Sequence, residues 1–381
     1  MSNSSKIIIG MVIIIAIAIA FGGGVFFSKS VGLKTNTGLD VVKEAWDFIA
    51  LDYVEPDKIN SENFTRAAIE GIITSLDDPY SSYLSPEDRK LVTSTFHGEF
   101  DGIGAIVSIR EEKLIIVATF DGAPAELSGI KAGDTILAIN GESVEGLSLE
   151  VATSKIRGPR GTMVTLLILH EGETSPVEIE IVRDRVEVPS IVFEMRGDIA
   201  HIFISQFTER TDVEFTPVLQ DLASQNAKGI VLDLRGNPGG VLQTVVEIAS
   251  HFITDGVIVS VRSNQGEIER YDAVKQDITT SLPVVVLVDE FSASGSEVLS
   301  GALQDYDRAI VAGNVTFGKG SVNWMRELSD GSGIYITIAR WLTPNGRLIE
   351  GHGIDPDIKL ELTGEEELQW AIDYLHANNS R

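Results

Sequence analysis

The chain has 381 residues, 43% of them hydrophobic, and a formal net charge of −26 from 30 basic and 56 acidic side chains. That acidic surplus argues against nucleic-acid binding and against docking on an anionic membrane surface. The absence of cysteine excludes disulfides, thiolate nucleophiles, Cys-ligated metals and a lipid-modified N-terminal cysteine. In chain order the first feature is Ile7 to Phe27, a 21-residue run without charge between Lys6 and Lys29. Its length suits a bilayer span and exceeds the apolar region of a secretory signal, so it reads as an uncleaved anchor. Ala16-Ile-Ala18 and Ala18-Ile-Ala20 offer cleavage-type residues, but inside the run. Lys6 and the terminal amine oppose Lys29 and Lys34 across the span, so the flanks do not set its orientation.

Leu39, Val42, Trp46, Ile49 and Tyr53 fall on one helical face, and Phe64, Ala68, Ile72 and Leu76 on another after the candidate cap Ser61. Asp77-Asp-Pro-Tyr-Ser-Ser-Tyr-Leu84 ends this helical segment as a turn and loop, to which no chemistry is assigned. From about Phe96 to Val186 the pattern changes to short strands. Gly102-Ile-Gly-Ala105 opens one of them, and Ala123-Pro-Ala125 and Gly129-Ile-Lys-Ala-Gly-Asp-Thr-Ile-Leu-Ala-Ile-Asn-Gly141 follow. This stretch resembles a PDZ domain. The resemblance implies that the backbone N–H groups of Gly102, Ile103, Gly104 and Ala105 bind a peptide's terminal carboxylate while the peptide adds as a strand. Arg157 and Arg160, in the later turn Ile156-Arg-Gly-Pro-Arg-Gly-Thr162, read as surface charges.

From Val188 to about Leu362 strands alternate with helical stretches, which predicts an α/β core, and Glu365 to His376 reads as a terminal helix. Lys228-Gly-Ile-Val-Leu-Asp-Leu-Arg-Gly-Asn-Pro-Gly-Gly240 is a strand ending in a glycine turn able to present a backbone N–H donor. Pro283-Val-Val-Val-Leu-Val-Asp289 is a buried-type strand; Phe291-Ser-Ala-Ser-Gly-Ser-Glu297 follows it and leads into a helical pattern. Ser294 therefore sits at a strand-to-helix turn, where the free N–H groups of a helix start can stabilise an oxyanion. Lys319, in Thr316-Phe-Gly-Lys-Gly-Ser-Val322, lies between two glycines with Phe317 and Val322 nearby. Desolvation there would let its ammonium lose a proton near neutrality and act as a base. His352, in Gly351-His-Gly353, reads as a turn residue, and none of the 6 histidines has metal-site spacing. No Walker A loop and no Gly-x-Ser-x-Gly elbow is present, and no cofactor is implied.

Taken together, Val231-Leu-Asp-Leu-Arg-Gly-Asn-Pro-Gly-Gly240, Ser292-Ala-Ser-Gly-Ser-Glu297, Gly301-Ala-Leu-Gln-Asp305 and Thr316-Phe-Gly-Lys-Gly-Ser321 resemble the carboxyl-terminal processing peptidases. The likeness runs from about Leu39 to the end of the chain. It implies a serine endopeptidase with a Ser–Lys dyad: Ser294 as nucleophile, Lys319 as general base, and the N–H groups of Gly295 and of Gly239 or Gly240 as oxyanion donors. Where the family usually has a glutamine orienting the lysine, this chain has Asn323, which keeps the amide on a side chain one methylene shorter.

The resemblance also implies polypeptide substrates with free C-termini, a bulk lying outside the cytoplasm at the cell membrane, and a helical segment that helps form a homodimer. The resulting plan is multi-domain α/β: an anchor or signal over 1–30, a helical segment over 31–95, a PDZ domain over 96–186, a ClpP/crotonase-like peptidase core over 187–362 and a terminal helix over 363–381. Two rivals are a catalytically silent, membrane-anchored PDZ binder and an acyl-CoA enzyme with an enoyl-hydratase-like core; the PDZ insertion argues against the second.

Overall fold

The computed structural model describes residues 38–110, 113–120, 122–147 and 149–379. The apolar run Ile7–Phe27 lies outside them, and among the described residues no helix is long and apolar enough to cross a membrane. The chain divides into two units, one up to Ala68 and one from Ile69. In the first, α1 (Leu39–Asp52) and a short 3-10 turn at Pro56–Lys58 lead to α2 (Ser61–Thr74), in which the boundary falls. Trp46 and Phe64 meet edge to face at 5.4 Å. The cap expected at Ser61 is instead Asn60, whose Oδ1 accepts the Asn63 N–H at 2.9 Å; a side-chain amide oxygen at that position satisfies a donor that the first helical turn leaves free.

In the second unit, β1 (Ser82–Leu84) and α3 (Pro86–His97) precede β2 (Glu99–Gly102). Next come β3 (Ala105–Arg110), β4 (Lys113–Thr119), α4 (Pro124–Leu127), β5 (Thr135–Ile139), β6 (Glu142–Ser143), α5 (Leu149–Ile156), β7 (Met163–Leu169), β8 (Val177–Val182) and β9 (Asp184–Glu187). The antiparallel sheet has the order β3-β4-β5-β7-β8, with β6 on β5, and β2 pairs separately with β9. Strand β7 alternates in burial, so Val164, Leu166 and Ile168 point into one apolar core beneath α5, and a register shift between Ile136 and Ala138 of β5 brings both Ile136 and Ile139 into the same core. Because β3 lies at the edge of this sheet, one side of its backbone is unpaired.

The remaining chain contains β10 (Ile191–Arg196), β11 (Ile199–Ile204), α6 (Thr211–Ser224), β12 (Gly229–Asp233), α7 (Leu242–Ser250), β13 (Val257–Ser263) and β14 (Ile268–Asp272). After them come β15 (Val284–Val288), α8 (Gly295–Asp305), β16 (Ile310–Gly313), β17 (Ser321–Glu327), β18 (Gly333–Leu342), β19 (Ile358–Lys359) and α9 (Glu365–Asn379). The central sheet, β10-β11-β12-β15-β16-β19, is parallel from β11 onward. Its inner strands are apolar on both faces: Ile230, Leu232, Val284 and Val286 pack toward α6, α7 and α8, while Val231, Val285 and Leu287 pack toward α9. Covering both faces explains why these strands read as continuous apolar runs rather than alternating ones. A second sheet, β1-β18-β13-β14 with β17 also on β18, stands beside the first.

Candidate active site

The carboxyl ends of β12 and β15 carry the two loops that build the site. Asp289 holds them together: its carboxylate accepts the N–H of Gly236 at 2.9 Å and that of Phe291 at 3.0 Å. Ser292, fully buried, donates its hydroxyl to the Leu234 carbonyl at 2.8 Å. Asn237 completes the join, its carbonyl accepting the Ala293 N–H at 3.0 Å. Clamped in this way, Ser294 sits at the N-terminus of α8 with φ 53° and ψ −109°. A non-glycine residue is rarely found at positive φ and is held there only when its surroundings over-determine it.

The backbone donors beside Ser294 are now separable. Gly239 donates its N–H to Asn237 Oδ1 at 2.8 Å, so that group is occupied. The N–H groups of Gly240 and Gly295 have no hydrogen-bond acceptor among the described residues, and Gly240 lines the same cavity as Ser294. Gly240 has φ +147° and lies so close to Phe207 that any Cβ there would overlap the Phe207 carbonyl. Of the alternatives Gly239 and Gly240, the free donor is Gly240.

Lys319 reaches the site from the strand-β17 side. Ser294 and Lys319 line one cavity of about 390 Å³, whose wall includes Val322, Met325, Tyr335 and Trp341. No hydrogen bond joins Ser294 Oγ to Lys319 Nζ among the described residues. The loop bearing Lys319 runs tightly against residues 350–353: Gly351 donates its N–H to the Gly318 carbonyl at 2.9 Å, and Gly320 has no room for a side chain against Glu350. Burial pushes the Lys319 ammonium below the usual lysine range, while the carboxylates of Glu297, Glu350 and Asp78 pull the other way. Of the two apolar neighbours that the sequence places beside Lys319, Val322 lines the same cavity. Phe317 is 52% exposed, and it is the ring of Tyr80, in the loop to which no chemistry was assigned, that lies 5.4 Å from Lys319 Nζ.

A second residue not singled out by the sequence reading is Glu297, which is fully buried in α8. Its carboxylate accepts the N–H of Ser294 at 2.7 Å and that of Lys319 at 3.0 Å. It also accepts the Gly318 N–H at 2.6 Å and the Thr316 hydroxyl at 2.7 Å. One side chain thus ties the Ser294 turn to the Lys319 loop. Burial raises the Glu297 carboxyl above its usual range, opposed by these four donors. A signal for it existed in Ser294-Gly-Ser-Glu297, which has the capping-box pattern.

Asn323 lines the same cavity as Ser294 and Lys319, but no hydrogen bond joins it to Lys319 among the described residues, and its amide has other partners. Nδ2 donates to the Tyr80 carbonyl at 2.9 Å and to Thr337 Oγ1 at 3.0 Å, and Oδ1 accepts from Ser321 Oγ at 3.1 Å. His352 is exposed, donates its ring Nδ1–H to the Glu350 carbonyl at 2.7 Å, and does not line the cavity. Among the described residues no group of three or more His, Cys, Asp or Glu side chains is placed to hold a metal ion.

A second concavity, of about 400 Å³, lies along the free edge of β3 and is lined by Ile103, Gly104, Ala105, Val107, Phe120 and Ile156. The N–H groups of Ile103 and Gly104 have no acceptor among the described residues, and Ala105 opens β3. Gly102 is placed differently, as the last residue of β2 opposite Asp184. Arg160 pairs with Asp184 at 2.6 Å on the surface. Arg157 is exposed as expected, yet its guanidinium lies over the Phe100 ring at 5.2 Å and borders the groove.

Comparison with known proteins agrees with this layout. The model of peptidase family S41 matches residues 198–360, that of the PDZ domain 95–169, and that of the activating protease CtpB N-terminal domain 27–88. A carboxy-terminal-processing protease of Bartonella bacilliformis is 37% identical over 360 residues, covering 90% of this chain and 82% of the relative. The carboxy-terminal processing protease CtpB of Bacillus subtilis is 37% identical over 333 residues, 86% of this chain and 69% of its own. Among solved structures, a photosystem II D1 C-terminal processing protease superposes with a TM-score of 0.52 at 27% identity, covering 87% of this chain and 96% of that one. With a PDZ domain whose peptide edge is open and an α/β core of the S41 type, the chain belongs to the carboxy-terminal processing proteases, which are serine-type peptidases.

Proposed function

We propose that this chain is a membrane-anchored endopeptidase that takes polypeptides by their free C-termini and cuts them through an acyl-enzyme on Ser294. The observation that carries this reading is the convergence on one cavity of Ser294, Lys319 and a backbone donor without an acceptor, Gly240. Neutral Lys319 Nζ takes the Ser294 Oγ proton as Oγ bonds to the scissile carbonyl carbon. The carbonyl oxygen, now an anion, is met by the N–H groups of Gly240 and Gly295. The C–N bond then breaks, the departing amine takes the proton from Lys319, and water hydrolyses the ester by the reverse sequence. Asn323 keeps a place in the site as a support rather than as a direct partner of Lys319.

Substrate selection follows from the edge of β3. An extended peptide adds there as a further strand, its carboxylate on the N–H groups of Ile103 and Gly104 and its last side chain in the apolar groove; Gly102 and Ala105 flank this cradle. Peptides ending in a free apolar residue are therefore cleaved faster than the same peptides amidated at that end. Charge-assisted hydrogen bonds make the loss about ten- to a hundredfold in kcat/KM. Equal rates for the two series, measured on the full chain, would mean that the PDZ domain does not select C-termini.

The anchor reading rests on the composition of Ile7–Phe27, with the rest of the chain extracytoplasmic. The intact chain is expected in the membrane fraction after alkaline carbonate extraction, with its bulk open to protease added from outside. A mature N-terminus beginning after Ala20, found by N-terminal sequencing, would show a cleaved signal instead. A homodimer through the helical segment is supported by α1, which has no buried residue and exposes Leu39, Val42, Phe48 and Ile49.

A further inference from the structure

The loop Asp77–Leu84 is built with more order than a connection needs. Asp78 accepts the Tyr80 N–H at 3.1 Å and the Ser81 hydroxyl at 2.6 Å, which closes the turn. Ser81 Oγ in turn accepts the Thr337 N–H at 3.1 Å, and β1 continues as an antiparallel neighbour of β18 with Ser82 opposite Tyr335. The Tyr80 carbonyl is held by Asn323 at 2.9 Å. These bonds lash the loop across the second sheet and leave the Tyr80 ring over the Lys319 ammonium. Both N–H bonds of the Asn323 amide are spent on this lashing, one on Tyr80 and one on Thr337.

We propose that Tyr80 is a positioning residue that screens Lys319 from water and keeps it available as a base, and that Asn323 acts on Lys319 only by fixing Tyr80. The inference rests on the reading of Lys319 as the general base. The groups facing Lys319 are the carboxylates of Glu297 from α8, Glu350 from the loop after β18 and Asp78 from the strap, together with the Tyr80 phenol. Arg340 of β18 stands beside Glu350, 3.7 Å away. Three carboxylates favour the ammonium, as does the face of an aromatic ring. Against them stands the exclusion of water, which is the largest influence on Lys319 and lowers its proton affinity. A ring face solvates an ammonium less well than the water it displaces, so removing Tyr80 favours the charged, inactive lysine.

The test is the pH profile of kcat/KM for the full chain on a fluorogenic peptide with a free apolar C-terminus, with thermal unfolding of each variant as a check on folding. Tyr80→Ala is expected to lose about tenfold on the acid limb while the high-pH plateau changes by no more than about threefold. Tyr80→Phe keeps the ring and restores the native limb. Asn323→Ala moves the limb in the same direction as Tyr80→Ala, yet adds nothing further in the Tyr80→Ala background, because the two lie on one line of action. An acid limb unmoved in Tyr80→Ala, or additive shifts in the double variant, would overturn the proposal even with Lys319→Ala inactive. PH-dependent activity surviving in Lys319→Ala would instead remove the base reading on which the proposal stands. Should Tyr80→Ala unfold, Tyr80→Gln, which keeps most of the bulk but offers the ammonium a polar atom in place of the ring, carries the same expectation.

Discussion

Lys319→Arg is expected to abolish peptide hydrolysis with the fold intact. Arginine keeps its proton at any usable pH and cannot accept one from Ser294. Loss of a general base costs roughly 10²- to 10⁴-fold, and Ser294→Ala, which removes the nucleophile, is expected to cost at least as much. Activity of Lys319→Arg within tenfold of the native chain would end the assignment. The native enzyme's own pH profile supplies a second check. On the proposed mechanism only neutral Lys319 acts as the base, so kcat/KM is expected to rise with pH as Lys319 loses its proton. Because burial lowers its proton affinity, that rise falls below the pH at which an ordinary lysine titrates. Stability follows the same sign: between the two values the unfolded chain binds the extra proton, so stability from this group increases as pH rises. An active-site serine reagent that labels the native chain but not Ser294→Ala separates the enzyme from a silent peptide binder.

Glu297→Ala is expected to have the second largest effect, acting on structure and rate together. The substitution strips the acceptor from four donors, those of Ser294, Thr316, Gly318 and Lys319. Each buried donor left without a partner costs about 1–3 kcal/mol, enough together to threaten the fold of the core. Glu297→Gln is the informative variant, since it keeps the volume and one acceptor oxygen but turns an N–H-bearing nitrogen toward groups that are themselves donors. The Ser294 turn and the Lys319 loop then lose their common tie, and a displacement on the order of 1 Å costs about 10²-fold in rate. The expected result for Glu297→Gln is a lowered unfolding temperature and a drop of about that size in kcat/KM. A glutamine variant of native rate would show that the tie has no part in aligning the two loops.

Some of this architecture was readable without coordinates because local chemistry dictated it. Strands β12 and β15 are apolar on both faces since α6 to α8 and α9 cover them, and that dual burial writes itself into the chain as Ile230-Val-Leu and Val284-Val-Val-Leu-Val288. The turn at Ser294 was legible for a related reason, because a strand must give way to a helix there and small residues permit it. The glycines at 239 and 240 announced a close backbone approach, but not which one would keep its N–H free. That depended on Asn237, whose side chain takes the hydrogen of Gly239.

Residue types and spacing along the chain thus carried the α/β pattern and the place of Ser294 at a strand-to-helix turn, because these are set by neighbours close in sequence, whereas the PDZ stretch and the pairing of Ser294 with Lys319 came from the likeness of several local motifs to one family. Tyr80 and Asn323 are different, since their meeting spans 243 positions, and no periodicity or motif encodes a contact across such a separation. Glu297 is intermediate: its bond to the Ser294 N–H is local and patterned, whereas those to Thr316, Gly318 and Lys319 exist only once β15 and β16 are paired and the following loop folds back. Lys319 shows the same division. Its place between two glycines is a property of the chain, but its lowered proton affinity comes from burial, and desolvation is a property of the packed molecule alone.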